Sequence, residues 1–427
     1  MDNFIIKGPT TLKGTVAVSS SKNATLPIMA ALLLSPAPIT LEYLPKLRDI
    51  NTMKKLLENL GMKTEVVDEK NNHLSFDASS IKSHEATYEL VKTMRASILV
   101  LGPLLARFKK ASVSLPGGCA IGDRPIDLHL KGLKAMGATI EIEAGYVHAS
   151  VAEEGLIGTE IALDFPSVGA TENIMMAAVL ARGKTVIDNA AREPEIQDLA
   201  CFLREMGATI SGEGTSTIEI EGMSIEKMRS FSYRPIPDRI EAMTLIIAAL
   251  MTKSDVIVEN IRSDHMSSFF QLLKEMKAKF DVDEEKRIAH LYKSNDLHSV
   301  KVDTAPYPGF PTDAQAQLMS LLTQVKGASV VTENIFENRF MHVSELKRMN
   351  ADITLKGSAA FVMGDTKLQG APVMCTDLRA SAALVLAALV AEGETTVERI
   401  YHLDRGYEQL EKKLSALGAN IKRVREV

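Results

Sequence analysis

Only three cysteines occur in the 427 residues, and no two of them form a CxxC pair. So sparse a set gives no sign of a disulfide framework and suits a reducing cytoplasm. Also missing are a Walker A loop, a G-x-G-x-x-G dinucleotide turn and an HExxH zinc helix, and the nine histidines show no ligand spacing. Neither a metal nor a cofactor is therefore expected. The opening residues, "MDNFIIKGPTTLKG", have no basic segment followed by an apolar run, so no secretion signal is read. The longest apolar stretches, "LPIMAALLLSPAPITL" and "ASILVLGPLLARF", are broken by proline or charge short of a membrane span. They read as buried core helices. Strong positive charge is absent too: the formal net charge is −5 and the pI is near 6.1, which argues against a nucleic-acid binder.

What is present is repetition. The words "LGMKTE", "MGATIEI", "MGATISG", "MKAKFDV", "MNADITL" and "LGANIKR" resemble one another, and their second residues are Gly61, Gly137, Gly207, Lys277, Asn350 and Gly418. Each follows a stretch with apolar residues every three or four positions, such as "EIQDLACFLRE", the pattern of a half-buried helix. Glycine or asparagine next fits a left-handed helix cap, with a β-type segment after it. A second family of words also occurs six times: "SKNATLPIMAALLL", "MRASILVLGPLLA", "VGATENIMMAAVLA", "DRIEAMTLIIAALM", "TDAQAQLMSLLTQV" and "DLRASAALVLAALV". These open with polar residues and continue almost wholly apolar, so they predict helices buried nearly all round, with polar groups only at their N-terminal ends. The result is an α/β chain of six βαβαββ-like units. One unit cannot bury its own core, so three per domain is the natural grouping, with a seam near residues 230–241.

Two features point toward chemistry. Cys119, in "SLPGGCAIGDRP", sits among loop-forming residues beside an arginine that would stabilise a thiolate. It reads either as a reactive thiol or as an incidental loop cysteine. Cys201 and Cys375 read as small buried hydrophobes. In addition, Lys22, Arg95, Arg239 and Arg379 lie in the N-terminal words of the buried helices, where orphan N–H groups and the helix dipole favour anions. Each alone is compatible with a solvated cap. As a set they predict an anionic ligand between the domains.

The words "SKNATLPI", "SLPGGCAIGDRPIDLH", "SVGATENIM", "NAAREPEIQDLA", "PDRIEA", "FPTDAQAQ", "ENRFMHVSEL", "TDLRASAALVLA" and "YHLDRGYE" carry a resemblance to the UDP-N-acetylglucosamine 1-carboxyvinyltransferase family over nearly the full chain. The resemblance implies a two-domain inside-out α/β barrel of the enolpyruvyl transferase type. One domain would span residues 22–234 and carry the Cys119 loop. The other would be discontinuous, residues 1–21 with 235–427, and the substrate cleft would lie between them. The implied activity is a cytoplasmic one, moving the enolpyruvyl group of phosphoenolpyruvate onto the 3-hydroxyl of UDP-N-acetylglucosamine at the first committed step of peptidoglycan synthesis. Cys119 would be the proton donor, the site of a covalent adduct and the target of fosfomycin. Asp313 would act as base or orienting group at the sugar hydroxyl, although its local sequence also suits an N-cap.

The resemblance further assigns Lys22, Arg124 and Arg405 to the phosphate of phosphoenolpyruvate, with Arg379 nearby and Asn23 at the reacting centre. Arg95 and the run Arg124, Pro125, Ile126, Asp127 and Leu128 match nucleotide-binding positions, with His129 as a positioning residue. Ser167, Val168 and Gly169 match a diphosphate turn, and Ile335 a contact to the uridine and sugar. Arg339 and Asp377 would pair with other cleft charges or form structural ion pairs. Two words depart from the family: "SSSKNAT" lacks the usual Gly-Ala pair, and "DFP" precedes "SVGAT" where some members carry a diphosphate-binding lysine. The competing readings are a silent paralogue that binds UDP-sugar, a transferase acting on shikimate 3-phosphate, and a redox-sensing role for Cys119.

Overall fold

The computed structural model describes residues 2–92, 94–115 and 126–425. Six four-stranded sheets repeat one wiring. The third repeat shows it in chain order. Strand Glu160–Ala162 leads into the apolar helix Val168–Ala178 and strand Lys184–Asp188; the amphipathic helix Pro194–Met206 and the strands Thr209–Ser211 and Thr217–Glu221 follow. The first two strands are parallel, which requires a crossover, and the apolar helix provides it. The closing hairpin then pairs antiparallel with the second strand.

The six related words turn each amphipathic helix into the strand after it. All six second residues have left-handed backbones: Gly61 at φ 110°, Gly137 at 94°, Gly207 at 123°, Lys277 at 60°, Asn350 at 72° and Gly418 at 105°. Glycine adopts this conformation without a Cβ penalty, and asparagine tolerates it. Lys277 holds it at a cost.

The chain divides into two units. Residues 2–19 and 237–425 form one; the other comprises 20–115 and 126–236 among the described residues. Each unit has its own buried core. Each also completes its sheets with a strand from the far end of its own sequence. In the first unit, Asp2–Gly8 lies between Gly393–Glu398 and Asn420–Arg425, antiparallel to both. Lys13–Ala17 then forms the parallel edge beside Asp255–Glu259. In the second unit, Ser232–Tyr233 is the parallel edge beside Ile39–Leu41.

Three sequence expectations need correction. Polar residues of the buried helices are not confined to their N-terminal ends, since Asn173, Thr244 and Ser320 lie beyond the first turn and are wholly buried, as Gln317 is within it. Each has a hydrogen-bond partner, which is what allows it there. The segment beginning at Arg95 starts as a 3-10 helix, Arg95–Val100, and becomes α-helical only over Leu101–Phe108. Pro103 falls in the first turn of that α-helix, where a missing N–H leaves no intrahelical bond unmade. Finally, Cys201 is exposed. On the helix Pro194–Met206 the apolar buried face is made by Ile196, Leu199, Ala200, Phe202, Leu203 and Met206, and Cys201 points away from it between Ala200 and Phe202. Cys375 is buried, and burial pushes its thiol up to about 12.

Candidate functional site

In the unit built from residues 2–19 and 237–425, charged side chains converge on Asp313. This residue lies in the 3-10 turn Thr312–Ala314 ahead of the helix Gln315–Leu322. The cap position of that helix is Ala314, so the capping alternative for Asp313 is not what the fold uses. Its carboxylate instead joins two arginines. Oδ1 accepts from Arg339 Nη2 at 2.7 Å, and Oδ2 accepts from Arg379 Nε at 3.2 Å and Nη2 at 3.1 Å. Both guanidiniums are almost wholly buried, whereas about a quarter of the Asp313 side chain (28%) is exposed. Two cations thus fix a carboxylate that still reaches solvent.

Of the supports of this cluster the sequence named only Asp377, expected in a pairing with cleft charges or a structural ion pair, and the fold uses it as a helix cap instead. Asp377 is the N-cap of the helix Leu378–Val390, accepting from the backbone N–H of Arg379 at 2.8 Å and of Ala380 at 3.0 Å, which sets the backbone that carries Arg379. The Arg379 guanidinium lies over the Tyr407 ring at 5.3 Å. Burial opposes its charge, but Asp313 and Tyr407 outweigh burial and keep it protonated. Gln317 Nε2 donates to the Asp313 carbonyl and to the Tyr407 hydroxyl, both at 2.9 Å, and that hydroxyl also meets Thr244 Oγ1 at 2.9 Å. Buried Glu333 ties two segments together. Its Oε2 accepts from Thr312 Oγ1, and its Oε1 accepts from Thr304 Oγ1 and from the backbone N–H of Ile335 and Phe336. The turn bearing Asp313 and the turn bearing Ile335 are therefore held by one carboxylate. His342 is wholly enclosed next to this cluster, and burial pushes it down to about 4 against the pull of Asp377. Arg405 is half-buried and ends the 3-10 segment Ile400–Arg405.

In the unit of residues 20–236, Lys22 and Asn23 open the helix Lys22–Ala31, capped by Ser21. Lys22 Nζ stands 3.8 Å from Asp49 Oδ2. Arg95 and Arg239, like Lys22, are first residues of their helical segments, and Arg379 is the second of its own. Ile126 precedes the helix Asp127–Ala135, whose first turn contains Asp127, Leu128 and His129. Ser167 caps the helix Val168–Ala178, accepting from the Ala170 N–H at 3.3 Å. His129 is buried beside this helix start; burial first, then Arg95, pushes its imidazole down to about 4. Lys131 binds Asp164 at 2.8 and 2.9 Å, so a lysine reaches the segment before Ser167 by another route. Cys119, Arg124 and Pro125 lie outside the described residues. Among those described, no group of three or more His, Cys, Asp and Glu could hold a metal ion, and no helix is long and apolar enough to cross a membrane.

Comparison with known proteins adds three findings. The pattern of the EPSP synthase (3-phosphoshikimate 1-carboxyvinyltransferase) family matches residues 6–414. Curated proteins named UDP-N-acetylglucosamine 1-carboxyvinyltransferase, from Trichlorobacter lovleyi and Geotalea uraniireducens, are each 54% identical over 426 residues, covering 100% of both chains. Among solved structures, the enolpyruvyl transferase NikO from Streptomyces tendae aligns with a TM-score of 0.91 at 25% identity, over 100% of this chain and 99% of that one. EPSP synthase from Acinetobacter baumannii aligns at 0.78 and 18% identity over the whole of both chains, a likeness of fold.

Proposed function

The chain belongs to the EPSP synthase family of carboxyvinyltransferases, and we propose that it moves the enolpyruvyl group of phosphoenolpyruvate onto the 3-hydroxyl of UDP-N-acetylglucosamine, releasing phosphate. The observation that carries this reading is the full-length identity of 54% to relatives named for that activity. The paired arginines on Asp313 support it, because the reaction needs a fixed carboxylate beside an anionic substrate.

The chemistry is addition and elimination at carbon. A proton from the Cys119 thiol reaches the methylene carbon of phosphoenolpyruvate, and the oxygen of the sugar hydroxyl bonds to the adjacent, electron-poor carbon. The hydroxyl proton passes toward Asp313. The Cys119 thiolate then takes back a proton from the new methyl group, which restores the thiol and the double bond as the carbon–oxygen bond to phosphate breaks and inorganic phosphate leaves. Phosphorus itself is never attacked. Lys22, Arg124, Arg379 and Arg405 neutralise the phosphate and carboxylate of phosphoenolpyruvate, the arginines through planar forks that match both groups. Asn23 hydrogen-bonds at the reacting centre. Arg95, residues 124–129, the Ser167–Gly169 turn and Ile335 take the nucleotide sugar, and fosfomycin alkylates Cys119. In this reading the protein works in the cytoplasm, at the entry to cell-wall synthesis.

Phosphate release from purified protein tests the proposal. Release should require both phosphoenolpyruvate and UDP-N-acetylglucosamine and should not occur with shikimate 3-phosphate. Binding of the nucleotide sugar without phosphate release would instead indicate a silent paralogue.

A further inference from the structure

The donors and acceptors around His129 settle which of its nitrogens carries the proton. Asn173, wholly buried on the helix Val168–Ala178, accepts from the backbone N–H of Gly102 through Oδ1 at 2.7 Å. Its Nδ2 faces the carbonyl of Ile98 at 3.1 Å and His129 Nδ1 at 3.0 Å. Exchanging the amide oxygen and nitrogen would set an NH₂ against the Gly102 N–H and an oxygen against the Ile98 carbonyl, so the amide has one tenable orientation. An amide nitrogen only donates. His129 Nδ1 must therefore accept, which leaves the proton on Nε2. That edge of the ring faces the start of the same helix, where a Cβ built on Gly169 would fall 3.1 Å from His129 Cε1 and 3.2 Å from Nε2.

We propose that Asn173 is a positioning residue that fixes His129 as a neutral Nε2–H donor, aimed at a diphosphate oxygen of the nucleotide held at the Ser167–Gly169 turn. The diphosphate in this statement rests on the function proposed above; the tautomer does not. A neutral donor suits this place. The helix N-terminus already supplies positive potential and Arg95 acts on the ring from the 3-10 segment, so a second full charge would be repelled. From the helix Val168–Ala178 the ring meets Gly169, which is uncharged. The glycine leaves room for the imidazole edge to stand this close.

Two measurements test it. Nitrogen-15 NMR of histidine-labelled protein, with the His129 signal identified by its loss in His129→Gln, should show a pyridine-like δ nitrogen and a pyrrole-like ε nitrogen from pH 6 to 8. A protonated δ nitrogen, or an imidazolium at pH 7, overturns the proposal. Calorimetry with UDP-N-acetylglucosamine should find roughly 10- to 100-fold weaker binding in His129→Asn, the scale of one hydrogen bond to a charged group. His129→Gln, whose amide nitrogen reaches the Nε2 position, should restore most of that loss. Equal losses in the two variants would also overturn the proposal. Asn173→Asp, which puts an acceptor opposite Nδ1, should move the proton to that nitrogen in the NMR spectrum and weaken nucleotide binding like His129→Asn. Wild-type protein that fails to bind the nucleotide sugar would refute the proposed function, and the spectrum would still decide the tautomer.

Discussion

At the scale of single residues, Asp313 shows how far a sequence word reaches. "FPTDAQAQ" fits both a capping aspartate and a catalytic carboxylate, and nothing local separates them. The fold removes the first by placing Ala314 at the cap, with arginines 26 and 66 positions away holding the carboxylate, and the second is decided by turnover. Asp313→Asn should lower turnover at least 10²-fold, the usual scale for losing an acid–base group. It should also cost about 2 kcal/mol of stability, because two buried guanidiniums lose their counter-charge while Asp313 itself is partly solvated. A folded variant with near-normal turnover would remove Asp313 from the chemistry. For Cys119, whose place in the sequence suggested reactivity, aspartate keeps a proton donor and removes the soft sulfur. Cys119→Asp should transfer at a reduced rate and resist fosfomycin. With a reference pKa of about 3.9 against about 8.5 for a thiol, it should lose activity at lower pH than wild type as pH rises. Cys119→Ala should be nearly inactive, and full turnover there would exclude the thiol as the acid.

His342 links burial to pH. The unfolded chain takes up a proton on this residue below about pH 6.5, whereas the folded protein resists until about 4. Its contribution to stability is thus complete above 6.5 and is lost as pH falls from 6.5 to 4. His342→Leu should flatten the decline in melting temperature across that window; an unchanged slope would contradict the assignment. No feature of "ENRFMHVSEL" announced this residue, because its burial arises from elements distant in sequence.

At the scale of elements, the repeat was the most legible feature, because helix periodicity, a left-handed cap and a strand recur together in every unit. The exceptions are physical. The segment from Arg95 opens as a 3-10 helix before Pro103 enters the first α-helical turn, and Cys201 is exposed between the buried positions Ala200 and Phe202, a difference that apolar spacing does not resolve. Two kinds of glycine position can be separated by experiment. Lys277→Gly should add about 0.5–1 kcal/mol by relieving a left-handed lysine, less the entropy that glycine loses on folding. Gly222 and Gly364 follow the closing strands of the third and fifth repeats. A Cβ there would fall 1.6 Å from the Ala181 carbonyl oxygen and 1.4 Å from that of Val325. Gly222→Ala must therefore shift backbone and should cost more than about 3 kcal/mol in a denaturant titration. A neutral result at either site would mean that the repeats tolerate strain the geometry forbids.

At the scale of the whole molecule, the chain starts inside its own last repeat. Asp2–Gly8 is hydrogen-bonded on both sides by strands near the C-terminus, a pairing that hydrophobic periodicity cannot reveal because strand partners leave no mark in either strand alone. The central claim is also molecular: two substrates meet, and a carbon–oxygen bond breaks while phosphorus is left alone. Phosphoenolpyruvate labelled with oxygen-18 in the bridging position tests it directly. The account predicts that inorganic phosphate released in the presence of UDP-N-acetylglucosamine carries the label, and that the enolpyruvyl ether formed with it does not. Unlabelled phosphate, with the label left on the pyruvyl fragment, would place the cleavage at phosphorus and contradict the mechanism.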